Sequence, residues 1–341
     1  MTHPLDPRAF ASLRVVVVGD LIADHYVEGA PSRVSREAPV LVLAHRSERW
    51  CAGGAANVAR NAAALGAQCR VLGVLGDDRG AHELLDLLHA DGVDAQGVEV
   101  IGDWQTPTKM RVLAGDSHRT PQQVLRIDRE PSAPAPADAR AAVCERIAAL
   151  AGEVDVVLVS DYGYGLLDGP LRSAVGKVAR AGARVVLDPR VDVRGFERLD
   201  AVTPNVEELA RLGATRIAES MDREAIVCAA INLGRAARAD HVLATLGNRG
   251  MALVDPHSGD VDWVDASGAE RVVDVSGAGD TAAAVFALGL AAGFGAGTAM
   301  RVANAAAGLV VMRMGTAVPD LAELSAVLGA SGLAVHGVRG G

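Results

Sequence analysis

Residues 274–281 combine small side chains with a carboxylate at the point where an apolar helix is predicted to begin. The turn before Asp280 would expose the backbone N–H groups of Gly277, Ala278 and Gly279. Such N–H groups and the helix dipole bind a phosphate or stabilise charge that develops on one. The adjacent carboxylate could take the proton of an attacking hydroxyl group. The pattern therefore indicates phosphoryl transfer with Asp280 as the base, although a simple helix cap has the same local sequence.

Two further patterns would serve a nucleotide. Thr245, Gly247 and Gly250 follow an apolar strand, and the glycines would let the backbone approach a phosphate or form an ordinary turn between strands. Asn205 and Glu208 lie three residues apart where a helix is expected to begin. Their side chains would project to one side and could hold Mg²⁺ through water. The same pair would also form a capping box.

Polar residues that could bind a sugar follow the first predicted strand and open the next helix. Asp20 and Asp24 are carboxylates, which are good acceptors from neighbouring sugar hydroxyls. Gly53 and Gly54 would allow a polyhydroxylated ligand close to the backbone, where Asn57 would bond a hydroxyl. Turn and cap roles would explain each of these residues equally well. Together they predict a sugar site.

Four cations are expected near this site. Lys109 and Arg111 alternate on a predicted strand, so both point to the same face. Arg33 and Arg126 belong to neighbouring stretches. Converging cations would bind an anionic group on the substrate, such as a phosphate that it already carries. The alternative is a solvated surface.

These residues lie on a chain in which strands and helices alternate. The predicted strands are 14–20, 70–75, 154–160, 184–188, one near 201, and 241–245; the predicted helices are 53–65, 81–90, 137–150, 171–181, 223–237, 279–292 and 296–314. The alternation predicts an α/β fold with a mostly parallel central sheet and helices on both faces. The four valines at 15–18 indicate a strand buried on both faces.

Segments 24–50 and 98–129 interrupt the alternation. Short runs at 40–44, 108–113 and 123–127 predict antiparallel strands of a small separate sheet, with the proline-rich 131–136 as a stiff connector. Unpaired edges and alternating apolar residues in this sheet predict a homodimer built through it. We expect residues 1–13 to be an N-terminal extension, 14–330 a single domain and 331–341 a flexible tail.

Composition limits the classes of partner. The net charge is −9 and no basic stripe is present, which argues against nucleic acid. The apolar run 281–292 is shorter than the roughly 20 residues of a membrane span, and residues 1–13 lack a signal-peptide core, so a cytoplasmic location is expected. The four cysteines form no C-x-x-C pair, which predicts reduced thiols. No G-x-G-x-x-G follows the first strand, which disfavours a dinucleotide-dependent oxidoreductase.

In their order along the chain, over about residues 14–319, these motifs resemble the ribokinase or PfkB family of carbohydrate kinases. The carrying motifs are Gly19-Asp20-x-x-x-Asp24, Gly53-Gly-Ala-Ala-Asn57, Asn205-x-x-Glu208, Thr245-x-Gly-x-x-Gly250 and Gly277-Ala-Gly-Asp280. The resemblance implies a ribokinase-like three-layer sandwich with a small β lid, and ATP and Mg²⁺ as cofactors, and it leaves the use of a monovalent cation open. It also implies that Asp280 is the base, that the preceding turn is the anion hole and that Asn304 lies near the adenine.

Within the family, the sequence is most similar to kinases that phosphorylate D-glycero-D-manno-heptose 7-phosphate at the anomeric hydroxyl, a step of ADP-heptose biosynthesis, and the likeness includes much of the lid. Segments 32–39, 53–58, 106–113, 125–128, 160–162 and 203–205 carry this likeness. It implies that Arg33, Lys109 and Arg111 hold the 7-phosphate. The kinase step alone is expected, because no His-x-Gly-His signature of a nucleotidyltransferase occurs in this sequence. Another sugar or sugar phosphate, or a catalytically silent binding protein, stays open.

Three departures from that subfamily affect the predicted substrate site. Arg36 stands where the subfamily tends to have proline, and Tyr164 and Arg190 stand where it has lysines. The first change could add a substrate contact. The loss of a lysine leaves the handling of the phosphate open.

Overall fold

The four valines at 15–18 form a strand that is buried on both faces of the sheet. The structure is a computed structural model that describes residues 6–115, 121–217, 222–268 and 272–330. Val15 and Val17 face one hydrophobic core, and Val16 and Val18 face a second core on the other side of the sheet. Burying each side chain contributes about 1.5–3 kcal/mol. A polar residue in this run would be shut away from water, which is why the strand is uniformly apolar.

Strands and helices alternate through most of the chain, as predicted. The strands of the described residues are β1 (Arg14–Gly19), β2 (Leu21–Val34), β3 (Leu41–Gly54), β4 (Gln68–Gly76), β5 (Asp94–Ile101), β6 (Thr108–Ala114), β7 (Gln122–Arg129), β8 (Val156–Ser160), β9 (Arg184–Asp188), β10 (Leu199–Val202), β11 (Ala239–Thr245), β12 (Met251–Val254) and β13 (Val261–Val264). The helices are α1 (Ala55–Ala64), α2 (Arg79–Ala90), α3 (Ala137–Ala149), α4 (Gly169–Arg180), α5 (Val206–Leu212), α6 (Arg223–Ala237), α7 (Ala278–Ala291), α8 (Ala296–Val310) and α9 (Leu321–Ala330).

The large sheet has nine strands in the order β13-β12-β11-β10-β9-β8-β1-β4-β5. Pairing is parallel from β11 to β5, while β12 and β13 are antiparallel. Helices α1, α7 and α8 contribute to the core on one face, and α3, α4 and α6 contribute to the core on the other. The prediction of a mostly parallel sheet between two helical layers is confirmed.

The crevice that can hold a ligand lies beside β1. This strand pairs with β4 on one side and with β8 on the other, so the connections that follow diverge to opposite faces of the sheet. Such a switch in strand order opens a crevice outside the carboxyl ends of the strands. Strands β1, β8, β9, β10 and β11 deliver the following residues at or just after their carboxyl ends: Asp20, Tyr162, Arg190, Asn205 and Thr245.

A second sheet of four strands, in the order β3-β2-β6-β7, forms the predicted lid. Strand β2 pairs antiparallel with β3 but parallel with β6, so the prediction of antiparallel strands is wrong for that pair. The reason is that β2 and β6 both enter the lid from the carboxyl edge of the large sheet. Strand β3 is much longer than the predicted run 40–44, and β2, for which no separate run was predicted, has the same length of 14 residues.

Two element boundaries differ from the prediction, and one hairpin was not predicted. Segment 98–101 belongs to β5 at the edge of the large sheet, where it pairs with β4, so the second lid segment begins later than residue 98. The hairpin of β12 and β13 was missed because each strand has only four residues. Helix α8 ends at Val310 rather than 314.

The ends of the chain are described in part. Within the predicted N-terminal extension, residues 7–12 form a short 3₁₀ helix whose Phe10 is buried and packs on Phe294, with ring centroids 5.8 Å apart. The predicted tail, 331–341, lies outside the described residues.

The four cysteines are free thiols, as predicted. A search of the described helices finds none with both the length and the apolar character that a membrane crossing needs.

Candidate active site

Asp280 lies in the first turn of α7 and is almost fully buried. Gly277, the N-cap residue, has a φ of 80°, a left-handed conformation that favours glycine. A Cβ atom at this position would lie 2.6 Å from Nδ2 of Asn57. Glycine at position 277 therefore adopts the backbone conformation that the turn requires, and it also leaves room for the Asn57 side chain at the N-terminal end of α7.

The turn before Asp280 supplies free backbone donors. The N–H groups of Gly277, Gly279 and Asp280 have no acceptor among the described residues. Ala278 differs, because its N–H group donates to the carbonyl of Val275 at 3.3 Å. The N–H groups of Gly277, Gly279 and Asp280 lie at the positive end of the α7 dipole, where they can bind an anion. The prediction of an exposed N–H group is therefore wrong for Ala278, which bonds within the turn, and the binding of an anion by the turn stays a prediction.

Two side chains hold the Asp280 carboxylate. Asn57 Nδ2 donates to Oδ2 at 2.8 Å, and the hydroxyl of Tyr162 donates to Oδ1 at 2.9 Å. Asn61 Nδ2 in turn donates to the carbonyl of Asn57, and Thr281 Oγ1 donates to Oδ1 of Asn61. Burial raises the pKa of Asp280 to about 6, while the two hydrogen bonds to the carboxylate oppose the rise. The arrangement gives a base that can exchange a proton near neutral pH.

A polar cavity of about 110 Å³ opens beside Asp280. Its lining includes six predicted site residues: Asn205, Glu208, Thr245, Gly277, Gly279 and Asp280. Five residues that were not among the predicted site residues complete it: Asp161, Tyr162, Asp188, Arg190 and Thr203. Each of these five lies at or just after the carboxyl end of a strand, which is the signal that could have identified them.

Four carboxyl groups and one arginine line the cavity. Burial, together with Glu208 and Asp280, raises the pKa of Asp188 well above its usual range, although Thr203 donates to Asp188 at 2.8 Å. Burial also raises the pKa of Glu208. Arg190 Nη1 lies 3.5 Å from Oε1 of Glu208. Carboxylate oxygens facing a small polar cavity fit a Mg²⁺ ion that keeps several of its waters.

The capping-box alternative for Asn205 and Glu208 is confirmed. Asn205 Oδ1 accepts from the Glu208 N–H group at 3.0 Å, and Glu208 Oε2 accepts from the Asn205 N–H group at 2.9 Å. No group of three histidine, cysteine or acidic residues within the described segments could hold a metal ion by itself. A role of these two residues toward Mg²⁺ would therefore have to run largely through water, and it stays a prediction.

The predicted nucleotide residues take different positions. Thr245 lines the cavity, and Gly247 has a φ of 61° with open space around its Cα. Gly250 has a φ of 86°, and a Cβ there would lie 1.9 Å from the carbonyl oxygen of Val264, so glycine is required for packing against β13. Asn304 Nδ2 donates to the carbonyl of Asp265 and holds the segment after β13. The nucleotide contacts of these residues stay predictions.

On the sugar side, Asp24 is buried and pairs with Arg111, whose Nη1 lies 2.5 Å from Oδ1 of Asp24. A Cβ at Gly53 would lie 2.8 Å from Oδ2 of Asp24, and a Cβ at Gly54 would lie 2.5 Å from the Asp20 carbonyl. The two glycines therefore allow close packing of β2 and β3 around Asp24. The binding of sugar hydroxyls by these residues and by Asn57 stays a prediction.

Asp20 holds a loop in this structure. Its Oδ2 accepts from the backbone N–H groups of Tyr162 at 2.8 Å and Tyr164 at 3.1 Å. Burial raises the pKa of Asp20 to about 6, and these hydrogen bonds oppose the rise. Its predicted contact with substrate would have to coexist with this role.

Lys109 and Arg111 share a face of the lid, as predicted. They lie opposite Asp24 and Tyr26 of β2. Arg111 lines a second cavity, of about 360 Å³, together with Tyr26 and Asp274. Lys109 Nζ lies 4.9 Å from the centroid of the Tyr162 ring. Burial lowers the pKa of Lys109.

Of the other two predicted cations, Arg126 shares this face of the lid and Arg33 lies elsewhere. Arg126 is opposite Arg111 on β7, but its side chain is exposed and donates to both carboxylate oxygens of Asp128, at 2.9 and 2.8 Å. Arg33 is exposed near the outer end of β2, beyond Gly29, where the regular pairing with β6 ends. It lies roughly 23–30 Å further along the strand than the residues opposite Lys109 and Arg111. The prediction that Arg33 converges with them is wrong within one chain, because Arg33 and these residues lie on one long strand, β2.

Comparison with known proteins gives a consistent result. Residues 12–323 match the family model described as pfkB family carbohydrate kinase. The bifunctional protein HldE of Desulfatibacillum aliphaticivorans is 38% identical over 328 residues, which are 96% of this chain and 65% of that protein. The protein of the same name from Azorhizobium caulinodans is 41% identical over 317 residues, 92% of this chain and 64% of the relative. The chain thus spans just under two thirds of the length of these curated relatives.

Solved structures show the same fold. Ribokinase of Arabidopsis thaliana, complexed with ribose and ATP, superposes with a TM-score of 0.71 at 25% identity and covers 93% of this chain and 98% of its own. Phosphofructokinase-2 of Escherichia coli, in complex with potassium, gives a TM-score of 0.74 at 19% identity and covers 93% of this chain and 99% of its own. The second likeness concerns the fold alone.

The buried charge of Asp280 predicts that Asp280→Asn stabilises the protein at pH 7–8. The pKa rises from 3.8 in the unfolded chain to about 6 in the folded one, so the ionised carboxylate costs about 2–3 kcal/mol of folding free energy above pH 6. An amide keeps the shape and can still bond Asn57 and Tyr162. The gain should shrink as the pH falls from 6 and vanish below about 4. Urea unfolding as a function of pH measures it.

Asp86→Asn is the matched control, because Asp86 is exposed on α2 and far from this network. It should change the free energy of unfolding by no more than about 0.5 kcal/mol. If Asp280→Asn is less stable than the parent at pH 8, the described burial of an ionised carboxylate is wrong.

Proposed function

The chain belongs to the pfkB family of carbohydrate kinases, and on this premise we propose that it transfers the γ-phosphoryl group of ATP to D-glycero-D-manno-heptose 7-phosphate, giving the 1,7-bisphosphate. The observation that carries the proposal is the Asp280 carboxylate, buried and held by two hydrogen bonds beside a turn of free N–H groups. A protein that binds sugar or nucleotide without catalysis would gain nothing from burying an ionised carboxylate, which lowers the free energy of unfolding. The chemistry would require ATP, and we place it in the cytoplasm, where ATP is available.

Each part of the site has a role in the proposed transfer. Asp280 takes the proton from the attacking sugar hydroxyl, whose oxygen bonds to the γ-phosphorus as the bond to the leaving ADP oxygen breaks. The N–H groups of Gly277 and Gly279 donate to the transferring phosphoryl oxygens and stabilise their charge. Mg²⁺, held through water by Glu208 and Asp188, would add positive charge at the phosphates. The proton then leaves Asp280 for water.

The substrate proposal depends on the lid. Its segments resemble those of heptose 7-phosphate kinases, and relatives named bifunctional protein HldE match 92–96% of the chain in the two comparisons above. Lys109 and Arg111 share a face of the lid, where they would meet a phosphate at the far end of the sugar. Asp24, which pairs with Arg111, would accept hydrogen bonds from the sugar hydroxyls.

We further propose that two copies pair through their lids. Leu125 and Ile127 of β7 are 52% and 43% exposed. They lie opposite Val112 and Met110, on the side of the lid that faces away from Arg111. A second lid would remove these apolar side chains from water. Arg33, at the outer end of the lid, would then lie close to the partner copy.

Asp280→Asn should lower kcat by about a hundredfold or more, because the shape stays while the base is lost. The Michaelis constants for ATP and sugar phosphate should change little. A coupled assay of ADP release over a panel of sugar phosphates measures both, with Asp86→Asn as the control of unchanged kinetics. Near-normal turnover in Asp280→Asn would remove Asp280 as the base.

Lys109→Ala should raise the KM for the sugar phosphate roughly ten- to a hundredfold, because a charge-assisted contact is worth about 1.5–3 kcal/mol. The KM for ATP should hardly change. Arg111→Ala should have a larger effect, because it also leaves Asp24 buried and unpaired. The measurement compares a sugar phosphate with its free sugar in the same assay.

The exposed Lys177 on α4 offers the matched control, and Lys177→Ala should leave both Michaelis constants unchanged. A free sugar should be a poor substrate and indifferent to Lys109→Ala. If the parent prefers the free sugar, or Lys109→Ala and Arg111→Ala both behave like the parent, the heptose 7-phosphate proposal fails. The wider carbohydrate kinase activity would stand.

Sedimentation at micromolar concentration should show a dimer for the parent and a monomer for Ile127→Glu, because a charge in the covered lid face cannot be solvated. The unfolding midpoint of the isolated monomer should be little changed, since Ile127 is exposed there. A parent that sediments as a monomer contradicts the lid-to-lid dimer.

A further inference from the structure

Tyr162 lies where three parts of the site meet. Its hydroxyl donates to Oδ1 of Asp280 at 2.9 Å. Its ring lies 4.9 Å from Lys109 Nζ of the lid and 5.6 Å from the guanidinium of Arg190, which follows β9. Cations at these distances are attracted by the aromatic ring. One side chain thus contacts the base, the lid and the loop that lines the polar cavity.

The backbone around Tyr162 is fixed from two directions. Its own N–H group donates to Oδ2 of Asp20 at 2.8 Å, which ties it to the end of β1. Asp161 accepts from the N–H group of Gly163 at 3.0 Å and from that of Arg190 at 3.1 Å. Because Asp20 and Asp161 are both buried, these bonds are shielded from water. The tyrosine hydroxyl therefore has a defined place relative to α7.

The hydrogen bonds leave room for a substrate. Each carboxylate oxygen of Asp280 can accept two hydrogen bonds. Asn57 occupies one acceptor position on Oδ2 and Tyr162 one on Oδ1. The remaining positions can accept a sugar hydroxyl while the carboxylate stays in one orientation. A carboxylate without these donors would rotate and lose alignment with the anion-binding turn.

We propose that Tyr162 is a positioning residue for the phosphoryl transfer, with its hydroxyl orienting the Asp280 carboxylate and its ring holding Lys109 and Arg190 beside the reacting groups. This inference rests on the proposed function. It assigns a role to a residue that the sequence motifs placed only within a subfamily likeness. It also explains why the side chain must be a tyrosine, since phenylalanine would keep the ring contacts and lose the donor.

Other charges also face Asp280. Asp24 and Asp188 repel its negative charge, and Lys109 attracts it. The Tyr162 hydroxyl stabilises the ionised form and so lowers the pKa of Asp280 against the effect of burial. Tyr162→Phe removes this donor and leaves the three charged groups in place. The effect of the hydroxyl can therefore be measured by itself.

The test compares Tyr162→Phe with Tyr164→Phe. Tyr164 lies on the same loop, but its hydroxyl bonds Glu130 at 3.1 Å and is remote from Asp280. For Tyr162→Phe, the acidic limb of the plot of kcat/KM against pH should move to higher pH by about one to two pH units. This shift corresponds to the loss of one hydrogen bond to a charged group, which raises the pKa of Asp280. The KM for ATP should stay unchanged. Tyr164→Phe should leave the pH of the acidic limb where the parent has it, because the Tyr164 hydroxyl does not bond Asp280.

Tyr162→Leu removes the aromatic ring as well as the hydroxyl, so its comparison with Tyr162→Phe isolates the effect of the ring. It should show the same displaced acidic limb and, in addition, a several-fold rise in the KM for the sugar phosphate, because Lys109 and Arg190 lose their support. Thermal unfolding of each variant reports whether the fold is kept. The carboxyl ¹³C signal of Asp280, assigned by its loss in Asp280→Asn, follows the same titration without catalysis.

The outcomes separate this inference from the proposed function. If the parent is an active kinase and the profile and ¹³C titration of Tyr162→Phe coincide with those of Tyr164→Phe, the positioning role is overturned while the kinase function stands. A ¹³C shift without any change in kcat/KM also overturns it. If the parent phosphorylates no sugar and Asp280→Asn changes nothing, the proposed function fails, and the inference fails with it.

Discussion

The arrangement of the site depends on one buried carboxylate, that of Asp280. Burial raises its pKa to about 6, so the group can gain or lose a proton near neutral pH. Two hydrogen bonds, from Asn57 and Tyr162, oppose that effect and fix the orientation of the carboxylate. Both donors come from parts of the chain remote from α7, so the remaining structure must hold three segments in one place.

The large sheet supplies that support. Strand β1 lies at the point where the strand order changes direction, and the loops after its neighbours converge there. Asp20 ties the loop after β8 to the end of β1, and Asp161 ties it to the loop after β9. Gly277 keeps the space that Asn57 needs to reach Asp280. The rigid apolar strands therefore set the position of every polar group in the cavity.

This arrangement is costly in stability. Asp20, Asp188, Glu208 and Asp280 all have a pKa raised by burial, which means that folding is opposed by their ionised forms at neutral pH. Proteins commonly keep such groups where function requires them and offset the cost elsewhere. Here the offset is the pair of cores on the two faces of the sheet, built largely from alanine, valine and leucine. A bound cation would reduce the repulsion further.

The sequence alone determined the features that depend on local pattern. The alternation of strand and helix patterns predicted the α/β class and most helices to within a few residues, and the small residues before Asp280 predicted the turn at which α7 begins. The spacing of Lys109 and Arg111 predicted their common face, because side chains alternate along a strand. Only the tertiary structure decided that Tyr162 and Asn57 hold Asp280, that Asp188 and Arg190 line the cavity, that β2 and β6 run parallel and that Arg33 lies far along the lid. The physical reason is separation along the chain: Asp280 is 118 residues from Tyr162 and 223 from Asn57, and no local periodicity specifies which distant loops a sheet will bring together.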